Sequence, residues 1–486
     1  MATRTAVFSK LVRDFSRADV LSVSPTTPLG DTVGRMATEK RSAAVVVTDD
    51  QRVAGIITEQ DIVRRVALRA SADQHAADIM SAPVKTIRAD EYLYYAVARM
   101  RRLGYRHMPV VANDGTLSGI LDLNDALGHA AADLMGQIDD LSRDDSDDGL
   151  REIKATQATL AIQLLEEGLP PPEIQALLTH INNDIYRRIV ARACHEMVAE
   201  GLGPAPVPFA VIVMGSGGRG ENYIHPDQDN GFIIDDYADA DHTEIDGWFI
   251  ELAERMTQRL DHAGLPLCLG NVMATNPLWR KRRSEWKDQT TLWTQGRKAN
   301  ALRHCDIFFD FHAVYGETAF AEELRHHVTA LATGNEPLLR AMCGSGQGSG
   351  LALGWFGRFK TVKEPEAYRG YLNLKHSGTL PLVTGLRLLA LREGIEASSS
   401  LGRMAALADK ELLKTDDHDE LVHAYKLIAE LLLRRQLADF NAAKAVTNFV
   451  HPASLTRWEK NELKQALRAV IKFDERIRFE FTGEVY

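Results

Sequence analysis

Apolar and polar positions repeat at a fixed distance over the first quarter of the chain. Residues 20–65 and 84–129 align without a gap at an offset of 64, with Met36 on Met100, Val46 on Val110, Asp50 on Asp114, Gly55 on Gly119, Ile56 on Ile120 and Asp61 on Asp125. Each copy predicts a helix (DTVGRMATEK; EYLYYAVARMRRLG), an apolar strand (AAVVVTD; MPVVAND), a turn and a second strand (VAGIIT; LSGILD). A new helix is then expected near EQDIV and LNDAL.

The pattern changes after this repeat. Asp139 to Gly149 is acidic and almost free of apolar residues, and reads as a solvated hinge. Ile174, Leu177, Leu178, Ile181, Ile185 and Ile189 keep the three-and-four spacing of a helix buried on one face, set off by Pro170-Pro171-Pro172. Phe209 to Met214 is an apolar strand, and Gly231 to Asp235 a second. Asn276-Pro277 reads as a helix start that places Arg280, Lys281, Arg282 and Arg283 on a solvated face. Trp279, Trp286 and Trp293 recur every seven residues, as in a packing seam, and Cys305 to Phe311 is a β-rich run. Helical spacing dominates from about residue 336, as in Leu382, Val383, Leu386 and Leu389.

Composition bounds this picture. The 486 residues suggest about three domains, and 45% hydrophobic with 26% charged residues excludes disorder. With 57 Lys+Arg against 67 Asp+Glu the formal charge is −10, which disfavours nucleic acid as a partner. Six of the aspartates lie in 139–148, so part of that deficit belongs to the hinge. Cys194, Cys268, Cys305 and Cys343 form no CxxC pair, which argues against a zinc ribbon or a disulfide framework. The opening MATRTAVFSKLVRDF lacks the apolar core of a signal peptide and no membrane-length apolar run follows, so a cytoplasmic protein is expected.

The candidate chemistry begins at Gly215-Ser216-Gly217-Gly218-Arg219-Gly220-Glu221. The glycines satisfy G-x-G-x-x-G after a strand, but the helix a dinucleotide site needs is interrupted by Pro226, and a strand begins where that helix should run. A Gly215-Ser216 turn can instead cradle a triphosphate with backbone N–H groups and a hydroxyl, and Arg219 offers a forked cation. Asp227 and Asp229 alternate at the start of the next strand, so both carboxylates leave one face. Beside a phosphate cradle such a pair fits Mg²⁺, or Mn²⁺. The segment Gly344 to Gly350 lacks a P-loop ending, and His418-Asp419 has no second His pair, so neither carries chemistry.

Two resemblances follow. The string Gly55-Ile56-Ile57-Thr58-Glu59-Gln60-Asp61, echoed at Gly119 to Asp125, makes residues 17–130 similar to a tandem pair of CBS modules. That family implies AMP or ATP held by Thr58 and Asp61, and a homodimer built through the pair. Capping of a helix is the competing role for these two residues, and Asp122 replaces the threonine in the second copy. The string GSGGRGE…PDQDN resembles the nucleotidyltransferase superfamily, in the branch related to the bacterial PII-protein uridylyltransferases. The layout from about residue 17 to 470 resembles CBS-linked proteins of that branch. The resemblance implies a third catalytic, metal-binding carboxylate, Asp310 or else Asp306, with His312 where relatives carry Arg. It also implies a helical domain over the cleft, with Lys375 touching phosphate and Arg387 in the matching stretch.

The expected fold class is α/β (α+β). It comprises an N-terminal segment (1–16), a CBS pair (17–132), an acidic linker (133–150), a helical neck (151–205), a mixed-sheet nucleotidyltransferase core (206–335) and an all-α C-terminal domain (336–486). The expected activity is Mg²⁺-dependent transfer of UMP or AMP from a nucleoside triphosphate to a protein. Gly215, Ser216 and Arg219 would bind nucleotide, and Asp227, Asp229 and Asp310 metal. The alternative is an inactive nucleotide-sensing scaffold.

Overall fold

A computed structural model describes residues 11–62, 74–91, 93–103, 105–112, 114–123, 146–166, 168–295, 307–345, 352–354 and 357–483. Asp306, Asp125 and the greater part of the acidic hinge lie outside the described residues. The chain divides into two compact units, Met1–Arg143 and Asp144–Tyr486.

The first unit realises the repeat. Strands β1 (Ser22–Val23), β2 (Ala43–Val47) and β3 (Val53–Thr58) form one sheet, with helix α1 (Leu29–Thr38) between the first two. Strands β4 (Ile87–Arg88), β5 (His107–Val111) and β6 (Leu117–Asp122) form the other, with helix α2 (Leu93–Leu103). The first pairing in each sheet is parallel and the second antiparallel. Even the irregularity repeats, between Val46 and Val47 and between Val110 and Val111. Each half buries its own core, around Met36, Val46 and Ile57 in one and Met100, Val110 and Leu121 in the other.

The second unit opens on two long helices, α3 (Asp147–Glu166) and α4 (Pro171–Ala199), with Pro171 at the start of α4, where a missing N–H costs nothing. The sequence places Asp147 and Asp148 in the hinge, but they begin α3, with Asp147 ion-paired to Arg192. A mixed sheet follows, in the order β10 (His312–Gly316), β7 (Phe209–Val213), β8 (Asn230–Ile234), β9 (Arg280–Arg282). Strands β7 and β8 are buried throughout because helix α5 (His242–His262) and the C-terminal helices cover both faces. Beyond them come α6 (Arg283–Gln295), α7 (Thr318–Ala332), α8 (Glu336–Ser345), the short strand β11 (Leu372–Asn373), α9 (Leu380–Arg392), α10 (Ser400–Asp409), α11 (Thr415–Asn441), the short strand β12 (Phe449–Val450) and α12 (Arg457–Thr482).

Three sequence expectations fail here, the first being an all-α C-terminal domain, since β11 and β12 pair antiparallel within it. Arg280–Arg282 is a strand, pairing in parallel with β8, and its arginines meet Asp246, Asp239 and Glu285 instead of lining a solvated helix. The run before His312 is helical at Ile307-Phe308 and then turns, so Asp310 precedes its strand. Aromatic residues that suit a strand serve here as core filling. Trp286 stacks on Phe308 at 4.9 Å, and Trp279 and Trp293 pack around them, which bears out the seam. This cluster continues into Leu386, Leu389, Phe473 and Phe481, so the sheet and the C-terminal helices share one core. Among the described residues no helix is long and apolar enough to cross a membrane.

Trp286 is fully buried and its indole N–H donates to Phe232 O at 2.8 Å. Trp286→Ala is expected to cost about 3–5 kcal/mol in chemical denaturation, as for other large core truncations.

Candidate functional site

The loop between β7 and β8 carries most of the predicted residues. Gly215 adopts φ +59° directly after β7, and a Cβ there would lie 2.8 Å from Asp229 Oδ2. Glycine is therefore what lets the carboxylate approach the turn. Gly218 is as tightly constrained, because a Cβ would lie 1.9 Å from Asp310 O. Ser216 Oγ donates to Asn222 Oδ1 at 2.9 Å.

Asp227 and Asp229 precede β8 in extended backbone and do leave one face. Gln228 points the other way, fully buried, and donates to Thr257 O and Leu265 O. A third group joins the carboxylates that sequence did not single out. Ligand atoms of Asp227, Asp229 and Cys268 lie within 4.8 Å of one another. Burial, together with the charge of Asp227, pushes the Asp229 carboxyl up to about 7. Two carboxylates this close, Asp227 exposed and Asp229 partly buried, are a donor set that a divalent cation completes, so these residues fit one.

The neck helices fix this loop. Gln175 donates to Glu221 O (3.1 Å), Asn222 N–H donates to Thr179 Oγ1 (2.9 Å) and Lys154 Nζ donates to Ile224 O (2.9 Å). Asn230 donates to Tyr186 Oη at 3.3 Å. Burial draws the Lys154 pKa down to about 7, although Gln157 Oε1, Asn182 Oδ1 and Ile224 O offer three acceptors to an ammonium. The signal was present in sequence as a second stripe on α4, Gln175, Thr179, Asn182 and Tyr186, polar yet at helical spacing.

Asp310 is not brought to the carboxylate pair. It is fully buried, with Arg219 at 2.8 Å, Arg387 at 2.6 Å and Arg403 at 2.6 Å. Burial alone would raise its pKa, but the three guanidinium charges outweigh that and hold it ionised, far below the usual carboxylate range. Its charge is met by three arginines and it stands outside the Asp227, Asp229 and Cys268 cluster, so here it is placed as an ion-pair hub and not beside the metal ligands it was expected to join. Arg219 is likewise committed, to Asp310 and to Glu221 at 2.7 Å, although it lines the adjacent cleft. That cleft, of about 150 Å³, is lined by Ser216, Asp227, Lys375 and Arg387 among others, so Lys375 does join the loop residues. His312 opens β10 and meets Asn183 Nδ2 at 3.3 Å.

The first unit holds a separate cavity of about 380 Å³, lined by Thr58, Asp61 and Ser81 on one side and Tyr105, Arg106 and His107 on the other. Thr58 caps the short turn Glu59–Asp61: its hydroxyl and N–H both donate to Asp61 Oδ2, at 2.7 and 3.0 Å. In the second repeat Asp122 meets His107 at 3.1 Å. Burial lowers the His107 pKa, and the Asp122 charge opposes that.

Family comparisons match these two units. Residues 12–68 and 76–132 each match the CBS domain, residues 155–300 match the family described as "Putative nucleotidyltransferase DUF294", and 336–481 match its "Putative nucleotidyltransferase substrate binding domain". This is a CBS-pair protein with a DUF294 nucleotidyltransferase-like domain. Curated relatives match the CBS pair: an uncharacterized protein of Methanopyrus kandleri is 34% identical over 118 residues, 24% of this chain and 60% of that protein. An uncharacterized 17.7 kDa protein of Acidianus ambivalens is 30% identical over 114 residues, 24% of this chain and 69% of that one. The chain thus spans less than two thirds of the first of these. A solved CBS domain protein of Pyrobaculum aerophilum, complexed with AMP, is 27% identical, covers 24% of this chain and 88% of that one, and has a TM-score of 0.23.

Two outcomes test this account of the DUF294 domain. Asp310→Asn leaves Arg387 and Arg403 buried without this anion and Arg219 with Glu221 alone, so unfolding free energy should fall by about 3–5 kcal/mol. The raised Asp229 pKa means the folded state binds its proton more tightly than the unfolded chain does. Cation-free stability should therefore fall as pH rises from about 4 to about 7. In EDTA at pH 8, Asp229→Asn should unfold at a higher temperature than wild type.

Proposed function

We propose that the DUF294 domain transfers a nucleoside monophosphate, UMP or AMP, from a nucleoside triphosphate to a hydroxyl on a protein, and that an adenine nucleotide in the CBS cavity controls the transfer. The observation that carries this reading is the meeting of Asp227 with Asp229, which sits against Gly215, beside a cleft lined by Asp227, Ser216 and Lys375. Asp227 and Asp229 would hold Mg²⁺ or Mn²⁺. When bound, that cation supplies positive charge to the phosphate oxygens as the bond to the leaving group breaks.

The chain's own groups account for the remaining work. Lys375 and the Ser216 hydroxyl contact the phosphates, and Arg219, locked in place by Asp310 and Glu221, adds fixed positive charge at the cleft wall. A carboxylate oxygen of the Asp227/Asp229 pair takes the proton of the acceptor hydroxyl. The acceptor oxygen bonds to the α-phosphorus, the α–β phosphoanhydride bond breaks and pyrophosphate leaves. The protein acceptor and the uridylyl-type chemistry rest on the resemblance of GSGGRGE…PDQDN to the uridylyltransferase branch.

At the CBS pair, Thr58 and Asp61 face a cavity large enough for a nucleotide's phosphate and ribose, and their mutual cap is the contact a nucleotide would exchange. Pairing of two chains through these modules completes the proposal.

The commitment of Asp310 to arginines favours a second reading, an inactive nucleotide-sensing scaffold. One experiment separates the two. Purified protein with labelled nucleoside triphosphates, cell lysate and a divalent cation (Mg²⁺, Mn²⁺, Co²⁺ and Zn²⁺ in parallel) should label a protein band, and Asp227→Ala/Asp229→Ala should reduce that label by at least about 100-fold. Wild type that labels nothing beyond the double variant supports the scaffold.

A further inference from the structure

The backbone places Cys268 opposite Asp229 from both sides. Gln228 N–H donates to Pro266 O at 2.9 Å and Asn230 N–H donates to Val272 O at 3.0 Å. Residues 228–230 and 266–272 therefore run side by side, with Asp229 and the Cys268 turn facing one another between the two bonds. The turn is closed by its own hydrogen bond, Asn271 N–H to Cys268 O at 2.9 Å, and Asn271 takes φ +55°. Asn230 Oδ1 accepts from Ala274 N–H at 2.9 Å, tying down the far end of the loop. Cys268 is 8% exposed as a residue, and its sulfur sits beside the two carboxylates.

A nucleotidyltransferase-like site with two carboxylates in place needs a third donor, and Asp310 is taken by three arginines. Cys268 Sγ is the group that converges with Asp227 and Asp229 instead, all three within 4.8 Å. We infer that Cys268 is the third protein ligand of the cation site, so that the site selects a more thiophilic divalent cation, Zn²⁺ or Co²⁺, over Mg²⁺. The chemistry is that of ligand softness: sulfur binds borderline and soft cations well and Mg²⁺ poorly, whereas a third carboxylate would have favoured Mg²⁺. The inference rests on the proposed cation site at Asp227 and Asp229, and it concerns which ion that site takes.

Co²⁺ gives a readout independent of turnover, because a bound thiolate produces a near-ultraviolet sulfur-to-cobalt charge-transfer band. The full chain titrated with Co²⁺ should develop that band. Zn²⁺ should abolish it at near-stoichiometric amounts, and Mg²⁺ should leave it in place at large excess. Cys268→Ser should lose the band and bind Co²⁺ about 10- to 100-fold more weakly in equilibrium dialysis. Cys268→Asp should lose the band but gain Mg²⁺ affinity, which separates a lost ligand from a lost fold. Asp227→Asn/Asp229→Asn should bind no Co²⁺ at this site. Co²⁺ that binds through the aspartates without a band, or a band unchanged in Cys268→Ser, overturns the thiolate ligand and leaves the carboxylate site standing. A wild type that binds no divalent cation overturns both.

Discussion

The Asp310 carboxylate is the constraint on which the second unit turns. Its three arginines come from three places: Arg219 from the loop after β7, Arg387 from α9 and Arg403 from α10. One buried anion therefore ties the Gly215–Glu221 loop to the C-terminal helices, at a point where a Cβ on Gly218 could not fit. Ion pairs this deep gain little net stability over apolar packing, but removing one partner is costly. The arrangement therefore specifies geometry more than it adds stability. It also sets the charge of the cleft, since Arg219 and Arg387 line it with their positions fixed by the same carboxylate.

The loop bearing Asp227 and Asp229 is held from the other side by the neck. Hydrogen bonds from Gln175 and Lys154, together with that to Thr179, reach the backbone of Glu221, Ile224 and Asn222, so the segment leading to the carboxylates has its polar groups met by α3 and α4. The neck is thus part of the site's scaffold. Since α3 is the first described element after the CBS pair in the chain, the covalent connection from that pair to the mixed sheet passes through the helix that carries Lys154.

Legibility in the sequence followed the range of the interactions. The repeat was plain because its period is local and its strands alternate around Gly55 and Gly119; the structure reproduces the register down to the paired irregularities. Asp227 and Asp229 could be placed on one face because two-residue periodicity is a property of extended backbone, and Gln228 confirms it by pointing into the core. The basic run misled because Arg280 and Arg282 alternate as a strand, and nothing local reveals that Asp246 and Asp239 wait to pair with them. Asp310 misled for the same reason on a larger scale. Its partners lie 77 to 93 residues away, and only the fold shows that three cations converge there. Cys268 had no motif at all, since its relation to Asp229 is made by backbone pairing between distant segments.

The central claim is that Asp227 and Asp229 make a cation-dependent nucleotide site. Calorimetric titration of the full chain with a non-hydrolysable nucleoside triphosphate analogue, with and without divalent cation, tests it most directly. The account predicts binding only when the cation is present, and its loss in Asp227→Asn/Asp229→Asn. Binding at this cleft that needs no cation, or that survives the double substitution, would contradict it.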